Sequence, residues 1–187
     1  MRITGGQVRG RLLATPKISN IRPTSDRVRE AIFNILGQDM SGLTVLDLFS
    51  GTGSLGLEAL SRGALQAYFI DKSQESLDLV KKNLSLCGYP AQGKFFRKDL
   101  SKGVPGLLTL LDKAFDLVFM DPPYRKNLIP FLLNDLSDKE LLESNAYVVI
   151  ESSKSERLPS SPGNLQIIDI RRYGDTKISF YISKENK

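Results

Sequence analysis

The sequence predicts an α/β protein: a mostly parallel sheet of seven strands, helices on both faces, and a small N-terminal hairpin and helix as an extension. Two patterns carry this reading. From residue 43 onward short apolar strands alternate with amphipathic helices, as parallel strands joined by crossover helices require. Near the C-terminus two strands follow one another with no helix between them, which calls for an antiparallel edge. The length agrees, since 187 residues is one domain at roughly 100–200 residues per domain. Such a chain buries a full core without a disulfide or metal staple.

Residues 1–16 read as an extended, glycine-punctuated hairpin or arm, with turns at Gly5-Gly6 and Gly10 and a stop at Pro16. Pro23 and Thr24 open a helix in which Val28, Ala31, Ile32, Ile35 and Leu36 fall on one face, and Gly37 closes it. That face leaves Arg27 and Arg29 off the apolar stripe. The strand candidates are Thr44–Leu48, Gln66–Ile70, Lys94–Arg97, Phe115–Met120, Ala146–Glu151, Leu165–Arg171 and Lys177–Ser183. Helices are expected over Leu55–Arg62, Gln74–Leu86, Leu128–Leu136 and Asp138–Glu143. We divide the chain into a basic arm and helix, residues 1–40, and a main domain, residues 41–187.

Absences narrow the chemistry. There is no His, which removes Ser-His-Asp and Cys-His catalysis and every imidazole-ligated metal. The one Cys, Cys87, builds neither an internal disulfide nor a cysteine zinc site, and fits a reducing compartment. No metal is therefore expected. Met1 to Gly6 lacks the apolar run of a signal peptide, and no stretch approaches the roughly 18 apolar residues of a membrane span. The expectation is a cytoplasmic protein with no membrane partner, acting as a monomer.

The net charge of +5 is concentrated at the N-terminus, where residues 1–40 carry seven basic residues against three acidic ones. Six of the seven are Arg, the side chain that forks onto phosphate oxygens and stacks on bases. Arg9, Arg11, Arg22, Arg27 and Arg29 are the candidate contacts to a polyanion.

The first chemical motif runs from Val45 to Gly56: a buried strand ending Asp47-Leu48-Phe49-Ser50, then Gly51-Thr52-Gly53-Ser54-Leu55-Gly56 opening a helix. Glycines there let the backbone approach a ligand closely. Asp71 follows Gly51 by 20 residues at the end of the second strand, where a carboxylate accepts both hydroxyls of a ribose. The layout suits an adenosine-containing cofactor. Asp47 discriminates among these, because a carboxylate beside the loop repels a pyrophosphate and attracts an ammonium or sulfonium.

The second motif, Asp121-Pro122-Pro123-Tyr124, stands directly after the strand Phe115–Met120. It suits an exocyclic amine on a purine, a poor nucleophile because its lone pair is delocalised into the ring. A carboxylate and a backbone carbonyl accepting its N–H bonds draw the nitrogen towards tetrahedral geometry. The prolines hold those acceptors in place, and Tyr124 offers a face for the base.

With these motifs in place the chain resembles class I S-adenosylmethionine-dependent amino-methyltransferases, whose fold is a Rossmann-like seven-stranded sheet. The strings Ile3 to Leu12 and Ile21 to Phe33 narrow the resemblance to the bacterial RsmD family, 16S ribosomal RNA guanine-N2 methyltransferases, over residues 2 to about 182. The resemblance implies that Asp47, Phe49, Gly51, Thr52, Gly53 and Gly56 surround the methionine moiety of S-adenosylmethionine, and Asp71 its ribose. It places Asp99 at the adenine amino group, Leu100 against the adenine ring and Thr24 near the methionine end. Asp121, Pro122, Pro123 and Tyr124 would act on the target base, and the partner would be ribosomal RNA or an assembling small subunit. An adenine-N6 methyltransferase acting on DNA or RNA would use the same Asp-Pro-Pro-Tyr chemistry. A nicotinamide oxidoreductase is disfavoured by Asp47. A non-catalytic RNA-binding module explains the basic arm and leaves Asp121 to Tyr124 without a purpose.

Overall fold

The computed structural model describes residues 1–16, 25–106, 111, 114–123 and 128–184. Arg22, Pro23, Thr24 and Tyr124, singled out above, lie outside the described residues. The chain forms two compact units, residues 1–97 and 98–187. Among the described residues no helix is long and apolar enough to cross a membrane.

The first unit holds α1 (Asp26–Leu36), β1 (Thr44–Leu48), α2 (Ser54–Ser61), β2 (Gln66–Asp71), α3 (Gln74–Cys87) and β3 (Gly93–Arg97). Its strands are all parallel, with Thr44 opposite Gln66 and Ala67 opposite Gly93. All five residues of β1 are buried, as a strand covered on both faces demands. The second unit holds β4 (Phe115–Met120), α4 (Leu128–Asp138), β5 (Leu142–Ser153), β6 (Leu165–Tyr173) and β7 (Thr176–Ser183). There β4 and β5 are parallel, while β7 runs antiparallel to both β5 and β6. The sheet has seven strands in the order β3-β2-β1-β4-β5-β7-β6, so the expected mostly parallel sheet with an antiparallel C-terminal strand is what forms.

One expected helix is absent. Asp138–Glu143 does not continue as a helix, because α4 stops at Asp138 and β5 starts at Leu142. The stop is a left-handed cap at Glu140 (φ 52°), closed by the Leu141 N–H donating to the Leu136 carbonyl at 3.2 Å. Helices usually place Gly at such a cap, and Glu140 gives no glycine signal. β5 also begins four residues before the expected Ala146.

The N-terminal segment is a small hairpin. Arg2 bridges Leu12, the Ile3 N–H donates to the Arg11 carbonyl at 2.9 Å, and the Gly10 N–H donates to the Ile3 carbonyl at 2.8 Å. It buries Ile3 and Leu13. Helix α1 starts at Asp26, capped by the Ser25 hydroxyl, which accepts the Val28 N–H at 3.3 Å. Val28, Ile32 and Phe33 fill its inward face.

A wholly buried carboxylate, Glu58 of α2, holds hairpin and α1 to this unit. It accepts the Thr4 N–H on both oxygens (3.1 and 2.9 Å), the Thr4 hydroxyl at 2.8 Å and the Gly5 N–H at 2.7 Å. Arg62 donates to it at 2.9 Å, and the Arg29 Nε lies 3.8 Å away. The Arg62 guanidinium also stacks over the Phe33 ring, 4.6 Å from its centre. Here the reading of Arg29 as a surface cation is corrected. Its guanidinium is wholly buried, donates to the Arg2 carbonyl at 2.5 Å and pairs with Asp26 at 2.8 Å, so it cannot meet a phosphate.

Removing a single partner from a buried ion cluster leaves charge uncompensated, at a cost of about 3–5 kcal/mol. Glu58→Ala is expected to lower unfolding free energy by about that much, read from urea denaturation. A loss under about 1 kcal/mol, the worth of a surface pair, would show that the network contributes little.

Candidate active site

The turn from β1 into α2 is held in unusual backbone geometry. Phe49 (φ 61°), Gly51 (φ 53°) and Gly53 (φ 74°) all lie in the left-handed region. For glycine that costs little, whereas for Phe49 it is strain that the surroundings must hold. The surroundings are backbone hydrogen bonds: the Ser50 N–H donates to the Ile70 carbonyl at 3.1 Å and the Gly53 N–H to the Ser50 carbonyl at 2.7 Å. Gly56 allows α2 to lie close on the sheet, since a Cβ there would stand 2.5 Å from the Phe69 ring and 3.2 Å from the Asp47 carboxyl.

Asp47 and Asp71 both grip this turn, in different ways. Asp47 is buried, and its Oδ2 accepts the Gly56 N–H in the first turn of α2 at 3.0 Å. Burial pushes its pKa up to about 8, against the lowering effect of the Gly56 bond, and the neighbouring Asp71 charge pushes it further the same way. A buried carboxyl held mostly protonated near neutral pH is a site that an incoming cation would complete. Asp71 is half-buried and uses both oxygens, accepting the Gly51 N–H at 3.0 Å and the Ser73 N–H at 2.8 Å. It thereby ties the glycine turn to the start of α3, which the Ser73 hydroxyl caps by accepting the Ser76 N–H at 3.3 Å.

In the second unit, Asp99 is exposed and caps the short turn Leu100–Lys102, its carboxylate accepting the Ser101 N–H at 3.0 Å. Leu100 is fully buried. Asp121, Pro122 and Pro123 leave the end of β4, with Asp121 half-buried, Pro122 buried and Pro123 exposed.

Of the candidate RNA contacts, Arg9, Arg11 and Arg27 are exposed, whereas Arg29 is not. Sequence reasoning passed over two residues that organise this unit: Glu58, described above, and Asn83 of α3. Asn83 is buried; its Oδ1 accepts the Ala14 N–H at 2.7 Å, and its Nδ2 donates to the carbonyls of Ala14 (3.1 Å) and Thr52 (3.0 Å). The available signal was a polar residue on an otherwise apolar helix face, beside Val80, Leu84 and Cys87.

The raised pKa of Asp47 fixes the sign of a pH effect. A group that binds its proton more tightly when folded contributes stability that is complete below the unfolded value, near 3.8, and is lost as pH rises through about 8. Asp47→Asn is therefore expected to gain stability relative to the parent as pH rises from about 4 to 8, read as urea midpoints across that range. Parallel profiles for the two proteins would show that Asp47 titrates normally.

The chain as a whole has relatives among known proteins. Residues 1–182 match the model of a family described as conserved hypothetical protein 95. The ribosomal RNA small subunit methyltransferase D of Escherichia coli K12 is 37% identical over 88% of this chain and 80% of its own length. The Haemophilus influenzae protein of the same name is 32% identical over 97% of this chain and 93% of its own. The solved structure of Escherichia coli yhhF superposes with a TM-score of 0.82 at 32% identity, covering 98% of each chain. A family model spanning nearly the whole chain, relatives above 30% identity and a shared class I methyltransferase fold lead to one conclusion: the chain belongs to the RsmD family of methyltransferases.

Proposed function

We propose that the protein transfers a methyl group from S-adenosylmethionine to the exocyclic N2 of a guanine in small-subunit ribosomal RNA. The observation that carries this reading is the buried Asp47 carboxyl bound to the first turn of α2. A methionine ammonium of S-adenosylmethionine would favour the ionised form of that carboxyl and pair with it, whereas a phosphate would gain no such ion pair. The relatives named for small-subunit RNA methylation support the substrate.

Asp47 pairs with the ammonium, Phe49, Gly51, Thr52, Gly53 and Gly56 shape the turn around the methionine, and Thr24 closes that end. Asp71, with lone pairs beyond those used by Gly51 and Ser73, accepts the ribose hydroxyls. Asp99 meets the adenine amino group and Leu100 its ring. When bound, S-adenosylmethionine would supply a methyl on a cationic sulfur; the amine lone pair would form the N–C bond, the S–C electron pair would stay on sulfur, and the surplus N–H proton would pass to water. The amine attacks through its own lone pair, so no prior deprotonation by a carboxylate is needed. Asp121 instead accepts an N–H bond, orients the lone pair and stabilises the charge that develops as the methyl arrives. Pro122 and Pro123 hold the backbone acceptor, and the guanine, unstacked at a cost of a few kcal/mol, lies on Tyr124. Residues 1–40 form the RNA-contacting arm through Arg9, Arg11, Arg22 and Arg27, and residues 41–187 the methyltransferase domain. The substrate is ribosomal RNA or an assembling small subunit, met in the cytoplasm by a single copy of the chain.

Asp121→Ala is expected to abolish transfer in single turnover while S-adenosylmethionine affinity, by calorimetry, stays within a few fold. Near-normal turnover would remove Asp121 from the chemistry. Asp71→Ala should show the opposite split, losing charge-assisted ribose bonds worth about 1.5–3 kcal/mol each; unchanged affinity would put the ribose elsewhere. Replacing Arg9 and Arg11 together by Ala should weaken RNA binding and flatten its salt slope by about 0.7–0.9 per lost phosphate contact. An unaltered slope would move the RNA to another surface.

A further inference from the structure

The buried side chain of Asn83 joins the basic hairpin to the glycine turn. Asn83 makes a two-way amide pairing with Ala14, accepting its N–H and donating to its carbonyl, as a neighbouring strand would. The second hydrogen of the same amide goes to the carbonyl of Thr52, between the left-handed Gly51 and Gly53. Both donors of this buried amide are thus committed, one to each side. Ala14 leaves the hairpin three residues after the exposed Arg11. A second link runs parallel to the first, with the Thr52 hydroxyl 3.6 Å from the sulfur of Met1.

This arrangement has a thermodynamic consequence. A ligand that orders the hairpin restrains Ala14, and through the Asn83 amide it restrains the Thr52 carbonyl. A ligand that orders the glycine turn acts in reverse, and the two effects must be equal. No aliphatic side chain and no carboxylate can replace the amide, because only the amide both accepts at one end and donates at the other.

We propose that Asn83 is a positioning residue that couples RNA on the N-terminal hairpin to cofactor in the glycine turn, so that each ligand tightens the binding of the other. This rests on the reading of the hairpin as an RNA contact. The device would favour cofactor capture by the RNA-bound protein, with Asn83 touching neither ligand.

The test measures S-adenosylhomocysteine affinity by calorimetry with and without small ribosomal subunits prepared from a strain lacking this protein, and subunit affinity with and without S-adenosylhomocysteine. In the parent protein each ligand should strengthen the other by the same factor, at least about fivefold, the low end of usual coupling. Asn83→Ala should bring that factor close to one. Ala14→Pro, which removes the N–H on the hairpin side and fixes the backbone φ there, should do the same while leaving the Asn83 bond to Thr52, and stands in if the Asn83 variant folds poorly. An unreduced factor in variants that merely melt at lower temperature would overturn the proposal, leaving Asn83 a structural brace. So would the absence of mutual strengthening in the parent. If instead the Arg9 and Arg11 double variant binds subunits as tightly as the parent, it is the hairpin's contact with RNA that fails.

Discussion

The N-terminal half of this protein depends on a carboxylate that never reaches water. Glu58 sits in an otherwise apolar turn of α2, and leaving it buried alone would be costly. Its partners are drawn from three separate segments: backbone and hydroxyl donors of Thr4 and Gly5, the Arg29 guanidinium of α1, and Arg62 just past α2. Without Glu58 the Thr4 and Gly5 N–H groups would lose their acceptor, and the buried Arg62 and Arg29 guanidinium groups a neighbouring opposite charge. The demand is therefore mutual, and it specifies one docking of hairpin and α1 where an apolar contact would allow several.

The same helix carries the glycine turn at its start, so the hairpin's anchorage and that turn share a rigid element. Asp47 and Asp71 close the turn from the two strands beneath it, using their oxygens on backbone N–H groups of Gly56, Gly51 and Ser73. Such groups keep a strained backbone in place without side chains that would fill the space a ligand needs. The burial that raises the Asp47 pKa also favours a cationic ligand, since a charge of opposite sign gains most where water is excluded.

Much of the fold was legible because its signals are local. The limits of β1 and β4 follow from short, mainly apolar runs, interrupted only by Asp47 and Asp116, the mark of strands buried on both faces. Gly88 ends α3 in the left-handed conformation that a glycine signals. The junction after α4 was illegible for the complementary reason, because Glu140 adopts that conformation with no glycine to mark it. Arg29 was misplaced because helix periodicity assigns a charged residue to solvent, and its deciding partner, Glu58, is remote in sequence. The candidate site divides in the same way. The identities of Asp47, the glycines and Asp71 could be read from their spacing, while the protonation of Asp47 and the brace at Asn83 arise only from burial among distant segments.

The central claim is the identity of the methylated atom, and the product nucleoside tests it most directly. Purified protein would be incubated with methyl-labelled S-adenosylmethionine and small ribosomal subunits from a strain lacking it, and the RNA digested to nucleosides for mass spectrometry. The account predicts label in N2-methylguanosine alone. Label in N6-methyladenosine, or none in the RNA, would contradict it.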